Sequence, residues 1–556
     1  MASRPADPTF TELFTPKLVT VLRERYGPAD LRADAVAGLT VAIVALPLSM
    51  AIAIASGVTP DRGLYAAIVG GFIVSLMGGS RFQIGGPAGA FIVLVAATVG
   101  RHGVDGLILA TLLSGLILVA IGLLRLGTFI KYIPYPVTVA FTAGIAVIIF
   151  ASQLRELLGL DLEREPGPIV PKLAAIADAL PTATPSAVAV ALVTVGAIAA
   201  TRRFRPHWPA MLIAVAVASV ASWGLGLPVE TIGSRFGGIP GSLPAPHLPA
   251  LSTDKVLAVL PDALAFALLG GIESLLSAVV ADSMSGRRHR SNCELVAQGT
   301  ANVASALFGG ICVTGTIART ATNVRAGARG PVAGMLHSAF LLLFMLAAAP
   351  LASYIPLAAL AAVLAVVAWN MAEKHELLAL LRSSRGDAVV VLATFLLVVL
   401  RDLTEGILVG FGLGALLFLH RMAQAVEVQV GDDRADAGDD RRPYDPDAAA
   451  DPDVAVCRIS GAFFFGAAAN VGAVLDRLAE HPKAYVLDVS GVPDLDSTAA
   501  TTIEGFVRKV ERRGAAVYVA GARRPVRRVL LTHGVRPPRV RFKPTLAGAL
   551  AAARAR

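Results

Sequence analysis

The stretch GGICVTGTIARTATNV, residues 309–324, sets one arginine among glycines and threonines between long apolar runs. An arginine within a membrane segment costs about 2.5 kcal/mol or more unless it faces a cavity or a partner. Arg319 therefore points inward. It falls at the start of a short helix, where unpaired backbone N–H groups and the positive dipole end already favour an anion. Thr314, Thr316 and Thr320 are read as additional hydroxyl donors beside it. A second stretch of the same character, GGSRFQIGGPAGAF at residues 78–91, opens a short apolar segment near Pro87. Its N–H groups, from Gly86 through Ala88, Gly89, Ala90 and Phe91, are expected to aim at the same spot as those of Thr316, Ile317, Ala318 and Arg319. Non-helical backbone at that depth is tolerated only inside protein or along a wet cavity.

Working outward, the 556 residues are 55% hydrophobic and only 16% charged, with a mean hydropathy of +0.67. A water-soluble surface cannot be covered with so little polar side chain, so most of the chain faces lipid. Crossing a ~30 Å hydrocarbon layer takes about 20 residues. Fourteen apolar stretches meet or approach that length, beginning near Ala35, Gly63, Pro87, Gly106, Pro134, Ser186, Trp208, Val256, Leu295, Ile317, Pro331, Ile355, Ala388 and Thr404. With both termini in the cytoplasm, the inner loops hold fifteen Lys/Arg and the outer loops eight, as the positive-inside bias requires. The two short segments are then the third of each seven-span half. Glycine-interrupted short segments at matching positions point to an inverted-repeat transporter with its site where the half-helices begin. The competing reading is two ordinary helices with packing glycines.

Glu273 is the other deep charge. It lies twelve residues from Pro261, about 18 Å along a helix and near mid-membrane. An isolated carboxylate there is a candidate proton carrier. Ser277, one turn along the same face, leaves open a small cation held between the two. Arg319 could instead form a structural pair with Glu273. Asp262 and Asp282 lie too near the helix ends for the same argument. GFGLG at Gly410 to Gly414 sits inside a membrane span, so it reads as helix packing and not as a nucleotide loop. Cys293, Cys312 and Cys457 have no ligand spacing, the nine histidines form no metal or triad pattern, and no Walker motif is present. No cofactor, metal, catalytic residue or nucleic-acid partner is expected, and the N-terminus lacks the features of a cleaved signal.

Charge divides the chain into three: residues 1–34 with the membrane part to Val426 carry +6, Glu427 to Asp453 carry −7, and Val454 to Arg556 carry +10. The middle segment reads as an acidic, solvated linker. The last is basic, which fits either a surface near anionic headgroups or a solvated face. There the pattern changes to strands at Ala455–Ile459, Ala484–Val489 and Ala516–Ala520. Helices are expected at Gly472–Leu478, Ser497–Arg512, before Leu531 and at Leu546–Ala553, which together make a compact α/β domain.

On these residues the chain resembles the SulP family of sulfate permease-like anion transporters. The carriers are PDRGLYAAIVGGFIVSLMGGSRFQIGGPAGAF (residues 60–91), ESLLSAVVAD (residues 273–282) and TGTIARTATNVRAGARGP (residues 314–331). The tail stretch YVLDVSGVPDLDSTAATTIEGF (residues 485–506) is similar to a STAS domain. The resemblance implies a polytopic α-helical membrane protein of seven plus seven inverted spans, divided into core and gate, in the inner membrane. It also implies an elevator-like motion of the core, a homodimer formed through the gate, and an anion held between the third and tenth spans. Sulfate or bicarbonate is the expected substrate, moved with protons. Sodium symport and exchange of chloride or dicarboxylates are the alternatives within the family, and a membrane-anchored STAS signalling protein is the alternative of a different class. Some members carry a hydroxyl residue just before the arginine. Here that position is Ala318, which leaves more of the site to backbone N–H groups. In STAS-type regulators a serine in an Asp-Ser pair is phosphorylated, and the matching pair is Asp496 and Ser497. A helix cap explains Ser497 as well.

Overall fold

A computed structural model describes residues 9–128, 134–162, 166–205, 208–401, 403–424, 426–430, 453–477 and 482–555. Two compact units divide at Phe411 and Gly412. The first unit is helical apart from one short strand pair. Among the described residues eight helices and helical runs are long and apolar enough to cross a bilayer, from Pro28–Ala55 to Glu405–Gln424 at the unit boundary. All fourteen apolar stretches begin in, or within two residues of, a helix. Local chemistry sets the ends. Prolines sit in the first turn of Pro28–Ala55, Pro60–Tyr65, Tyr135–Leu158 and Pro185–Phe204, where their missing N–H is no loss. Left-handed glycines, Gly159 and Gly286, close Tyr135–Leu158 and Thr253–Ser285. Large apolar side chains stay exposed all along the outside, among them Trp223 at 72% and Leu351 at 69%. Such helices are apolar on every side, as lipid demands.

Two departures from regular helix matter for the site. Residues Ala66–Gly70 form a π-helical turn between Pro60–Tyr65 and Gly71–Met77. The helix Ile92–Leu123 bends at Gly103, whose φ is 68°, so the segment opening near Pro87 and the one near Gly106 are two limbs of one bent rod. The upper limb packs against Ser291–Leu307 through facing glycines. A Cβ on Gly115 would lie 2.6 Å from the Gly299 carbonyl oxygen, and one on Gly299 would lie 2.5 Å from that of Gly115.

The second unit carries a five-stranded sheet in the order β3 (Glu427–Val430), β4 (Val454–Ser460), β5 (Ala484–Gly491), β6 (Ala516–Ala520) and β7 (Val540–Lys543). The first pair is antiparallel and the rest are parallel. Phe465–Arg477, Ser497–Arg512 and Arg524–Thr532 cover one face, over a core of Ile459, Leu487, Val489, Ile503 and Val507. Leu546–Arg554 covers the other, against Val486 and Tyr518. Three expectations change here. The segment expected to open the linker contributes β3 at the sheet edge, β7 is an added strand, and the first helix begins at Phe465, not Gly472. The remainder of the acidic linker, together with Leu478, lies outside the described residues.

Candidate functional site

Two further strands, β1 (Gly85–Gly86) and β2 (Thr314–Gly315), cross in the middle of the first unit as an antiparallel pair, with Gly85 opposite Gly315 and Gly86 opposite Thr314. Each leads within a few residues into a helix start. After β1 come the turn Gly89–Phe91 and the Ile92–Leu123 helix; after β2 comes Ile317–Arg325. Both segments are thus broken at the crossing.

The crossing is braced by side chains from neighbouring helices. Asn302 holds Val313 by a pair of hydrogen bonds, donating to its carbonyl at 2.7 Å and accepting from its N–H at 2.8 Å. Gln83 donates to the Ser274 hydroxyl at 2.8 Å, and Asn323 donates to the Phe82 carbonyl at 2.9 Å. The threonines expected as anion donors are part of this bracing. Thr314 donates to the Gly270 carbonyl and Thr316 to the Ile84 carbonyl, while the Thr320 oxygen accepts from the Ile84 N–H and the Ser277 hydroxyl. Their hydroxyls satisfy strand backbone that has no water to turn to. The hydroxyl hydrogens of Thr314 and Thr316, expected as ligand donors, are thus committed to backbone carbonyls, while Thr320 acts as an acceptor in both of its bonds.

The backbone donors are different. At the start of Ile317–Arg325 the N–H groups of Ile317, Ala318 and Arg319 have no acceptor among the described residues, and the first bond of the helix runs from Thr320 to Thr316. At the other start the N–H groups of Gly89 and Ala90 are likewise open, the first bond running from Phe91 to Ala88. Neither helix has a side-chain cap. Ile317 and Ala318 are exposed and Gly89 is half-buried, whereas Gly86, Ala88, Ala90 and Phe91 are buried. Phe91 meets Phe266 edge-on, with ring centroids 6.0 Å apart.

Arg319 is 1% exposed. One guanidinium nitrogen, Nη2, donates to the Ser49 hydroxyl at 3.1 Å; Nε and Nη1 have no partner. Among the described residues no carboxylate lies within ion-pair distance of it, so the alternative pairing with Glu273 is absent. Gly86 makes room for the guanidinium, since a Cβ there would lie 2.5 Å from Nη1. Glu273 is half-buried on the Thr253–Ser285 helix, its Oε2 sealed and without a partner. Ser277 lies one turn on, bound to Thr320, so that helix touches the arginine's helix directly. Sequence reasoning missed Ser49, a lone hydroxyl in the apolar run LPLSMAIA, and His337, a lone imidazole in GMLHSAFLLL. A polar group alone in a membrane span was the available signal for both.

Beside this site opens a cavity of about 840 Å³. Ala51, Ile92 and Leu364 line it together with basic side chains that include Arg101, Arg155 and Arg235. Among the described residues no cluster of three or more His, Cys, Asp or Glu is arranged to hold a metal ion.

In the second unit Asp496 caps Ser497–Arg512, accepting from the Ala499 N–H at 2.8 Å with one oxygen and from the Phe465 N–H at 2.9 Å with the other. The cap is therefore Asp496. Ser497 is the first residue of the helix, with its side chain exposed.

Comparison with known proteins agrees with these features. Residues 31–394 match the Sulfate permease family and residues 445–549 match the STAS domain. YvdB of Bacillus subtilis (strain 168), provisionally named a sulfate transporter, is 38% identical over 501 residues, covering 89% of this chain and 92% of YvdB. The bicarbonate transporter BicA of Synechocystis is 32% identical over 508 residues, covering 89% of this chain and 88% of BicA. The murine Slc26a9 anion transporter in its inward-facing state superposes with a TM-score of 0.85 at 19% identity, over 100% of this chain and 96% of that one, which is a likeness of fold. The match over residues 31–394 and the 38% identity to YvdB show the lineage: the chain belongs to the sulfate permease family and ends in a STAS domain.

Proposed function

We propose that this protein is a secondary active transporter of small inorganic anions, with sulfate or bicarbonate the substrate. One observation carries the reading: two helix starts with five open N–H groups flank a buried guanidinium that no carboxylate among the described residues neutralises. A cation buried in this way is favourable only when an anion arrives to complete it. Helix starts and guanidinium together are what an oxyanion needs in a place without water. Gly86, Ala88, Gly89, Ala90, Phe91, Thr316, Ile317, Ala318 and Arg319 surround the anion, the threonine as part of the wall, since its N–H and hydroxyl both donate to the Ile84 carbonyl.

The working arrangement is fourteen spans in two inverted halves, with a core that carries the anion in an elevator-like motion against a gate that also forms a homodimer. The two limbs of the rod bent at Gly103 count as separate spans. Both termini are cytoplasmic, and the membrane is the cell's inner membrane. Coupling is to protons, with Glu273 the carrier and Ser277 beside it; Ser497 is a site of regulation. The family membership and the relatives named for sulfate and for bicarbonate support the substrate class. Counterflow of labelled sulfate and bicarbonate into proteoliposomes tests it, with pH and sodium gradients applied in turn. Uptake of either anion driven by a pH gradient is the expected result. Uptake that follows sodium alone overturns the proton coupling, and no uptake of either anion overturns the substrate class.

A further inference from the structure

Strand register shows which edge of the second unit's sheet adjoins the membrane. The unit includes the end of a membrane-spanning helix, Gly412 to Gln424 of Leu403–Gln424, which leads into β3 at Glu427. Glu427 pairs with Ser460, Ser460 with Gly491, Asp488 with Ala520, and Ala520 with Lys543. The span therefore enters at the edge formed by the C-terminal ends of β4 to β7. Ala423, in its last turn, is buried in the core of the unit, and a Cβ on Gly466, which follows β4 at that edge, would lie 3.2 Å from the Ala423 Cβ. This is the edge of the sheet nearest the lipid.

The same edge collects positive charge. The helix Arg524–Thr532 starts there, after β6, and the Gly521 N–H donates to the Lys543 carbonyl at 3.1 Å, which closes the intervening loop onto β7. Val526 and Leu530 are buried beneath the helix. Arg524, Arg527, Arg528 and Leu531, at the spacing of one helical face, are exposed, as is Arg523. Among the described residues no carboxylate lies within ion-pair distance of these four arginines. The acidic side chains around them are engaged elsewhere: Glu504 and Glu511 with Arg508 and Arg539, Asp488 with Arg458, Asp494 with the Leu495 N–H, and Asp496 as a helix cap. The arrangement works against the helix twice. Arg523 and Arg524 hold the cap and the first position, where the dipole favours acid, and Arg524 has like charges three and four residues on. Folding gives no reason for these arginines, whereas an anionic surface does.

We propose that Arg523, Arg524, Arg527 and Arg528 form a docking face of the STAS domain for anionic phospholipid headgroups beside the span. β7 lies four strand spacings from β3, about 19 Å, so the helix next to it stands to one side of the span and meets the leaflet that the unit faces. A basic helix face held at an anionic leaflet gains about fivefold in binding for each arginine engaged. The acidic linker of this chain is a poorer occupant. It leaves after Val430, which pairs with Cys457, and returns at Asp453, before the first residue of β4, so both of its ends lie toward the opposite edge of the sheet. Docking of this kind is independent of which anion the first unit carries.

The test uses the full chain in nanodiscs of phosphatidylcholine alone and of an equimolar mixture of phosphatidylcholine with phosphatidylglycerol. Phenylglyoxal labelling of each arginine is followed by mass spectrometry, with Arg512 and Arg513, exposed at the far end of Ser497–Arg512, as internal controls. In the mixture, labelling of Arg523, Arg524, Arg527 and Arg528 should slow severalfold relative to phosphatidylcholine, and that of the controls should not change. About 1 M NaCl cuts the reach of exposed charges to roughly 3 Å and should restore the rate. Equal labelling of the four in the two lipids overturns the proposal: fast in both means an uncovered face, and slow in both means a cover other than anionic lipid. Slowing that survives high salt, or that the controls share, overturns it as well. Protection by added RNA in phosphatidylcholine discs, with none from phosphatidylglycerol, would overturn it in favour of a nucleic-acid face.

Discussion

Arg319 is held by a single hydrogen bond from Nη2 to Ser49, with the rest of its guanidinium left open, and that economy of contacts is what supports the ligand-binding role proposed for it. Removing a partner from a buried ion pair leaves an unpaired charge, but removing this arginine leaves none behind. Arg319→Ala should therefore give a monodisperse, thermally normal protein that no longer binds sulfate or bicarbonate; normal affinity in a binding assay would refute its role. The arginine was legible because charge in lipid has so few acceptable reasons. The bonds of the hydroxyls beside it were less legible. A sequence shows that Thr314, Thr316 and Thr320 lie near a helix start, but not that Ile84 and Gly270 would need them first. Ser49 and His337 went unread because each is a single polar residue inside an otherwise ordinary apolar span. Cys457, in the second unit, makes a simpler case. Burial pushes its thiol up to about 12, so thiolate is scarce at pH 8. Maleimide should label it only after denaturation, which mass spectrometry would show.

At the scale of elements, the strand crossing depends on residues without side chains. Gly86→Val should displace the guanidinium, because the new Cβ would occupy the place of Nη1. The expected outcome is anion affinity reduced at least tenfold with little change in melting temperature, read by binding and by thermal shift. The glycine contact between Ile92–Leu123 and Ser291–Leu307 should behave in the opposite way. Gly115→Leu forces two helices apart at a backbone contact, a strain of about 1 to 3 kcal/mol, and should lower the melting temperature wherever the anion stands. In the second unit Asp496→Ala removes a cap that also ties the Phe465 N–H, at a cost of about 1 kcal/mol, measurable by urea unfolding of the full chain. The elements themselves were largely readable from apolar length and from period. Those missed were short and charged. VRFK in β7 alternates with basic residues, and EVQV in β3 adjoins an acidic run, so both looked like loop although each has the alternating pattern of an edge strand.

For the molecule as a whole, hydropathy gave the class but did not fix how a helix ends. Residues 87–123 read as two spans, and the structure has two limbs there that meet at Gly103, whose φ of 68° makes the bend; nothing in the composition announces that residue as the joint. The division near Phe411 lies inside the Leu403–Gln424 helix, where an apolar run masks any boundary.

The donors at the two helix starts belong to the main chain, and no point substitution short of proline can delete them. On the anion-binding function proposed above, avidity for negatively charged solutes is in that sense fixed by the path of the polypeptide. Selectivity is free to drift through the short side chains around it, Ala88, Ile317 and Ala318, whose exchange would resize or wet the cleft without dismantling it. Lineages that inherit this architecture can therefore change their cargo by trivial edits.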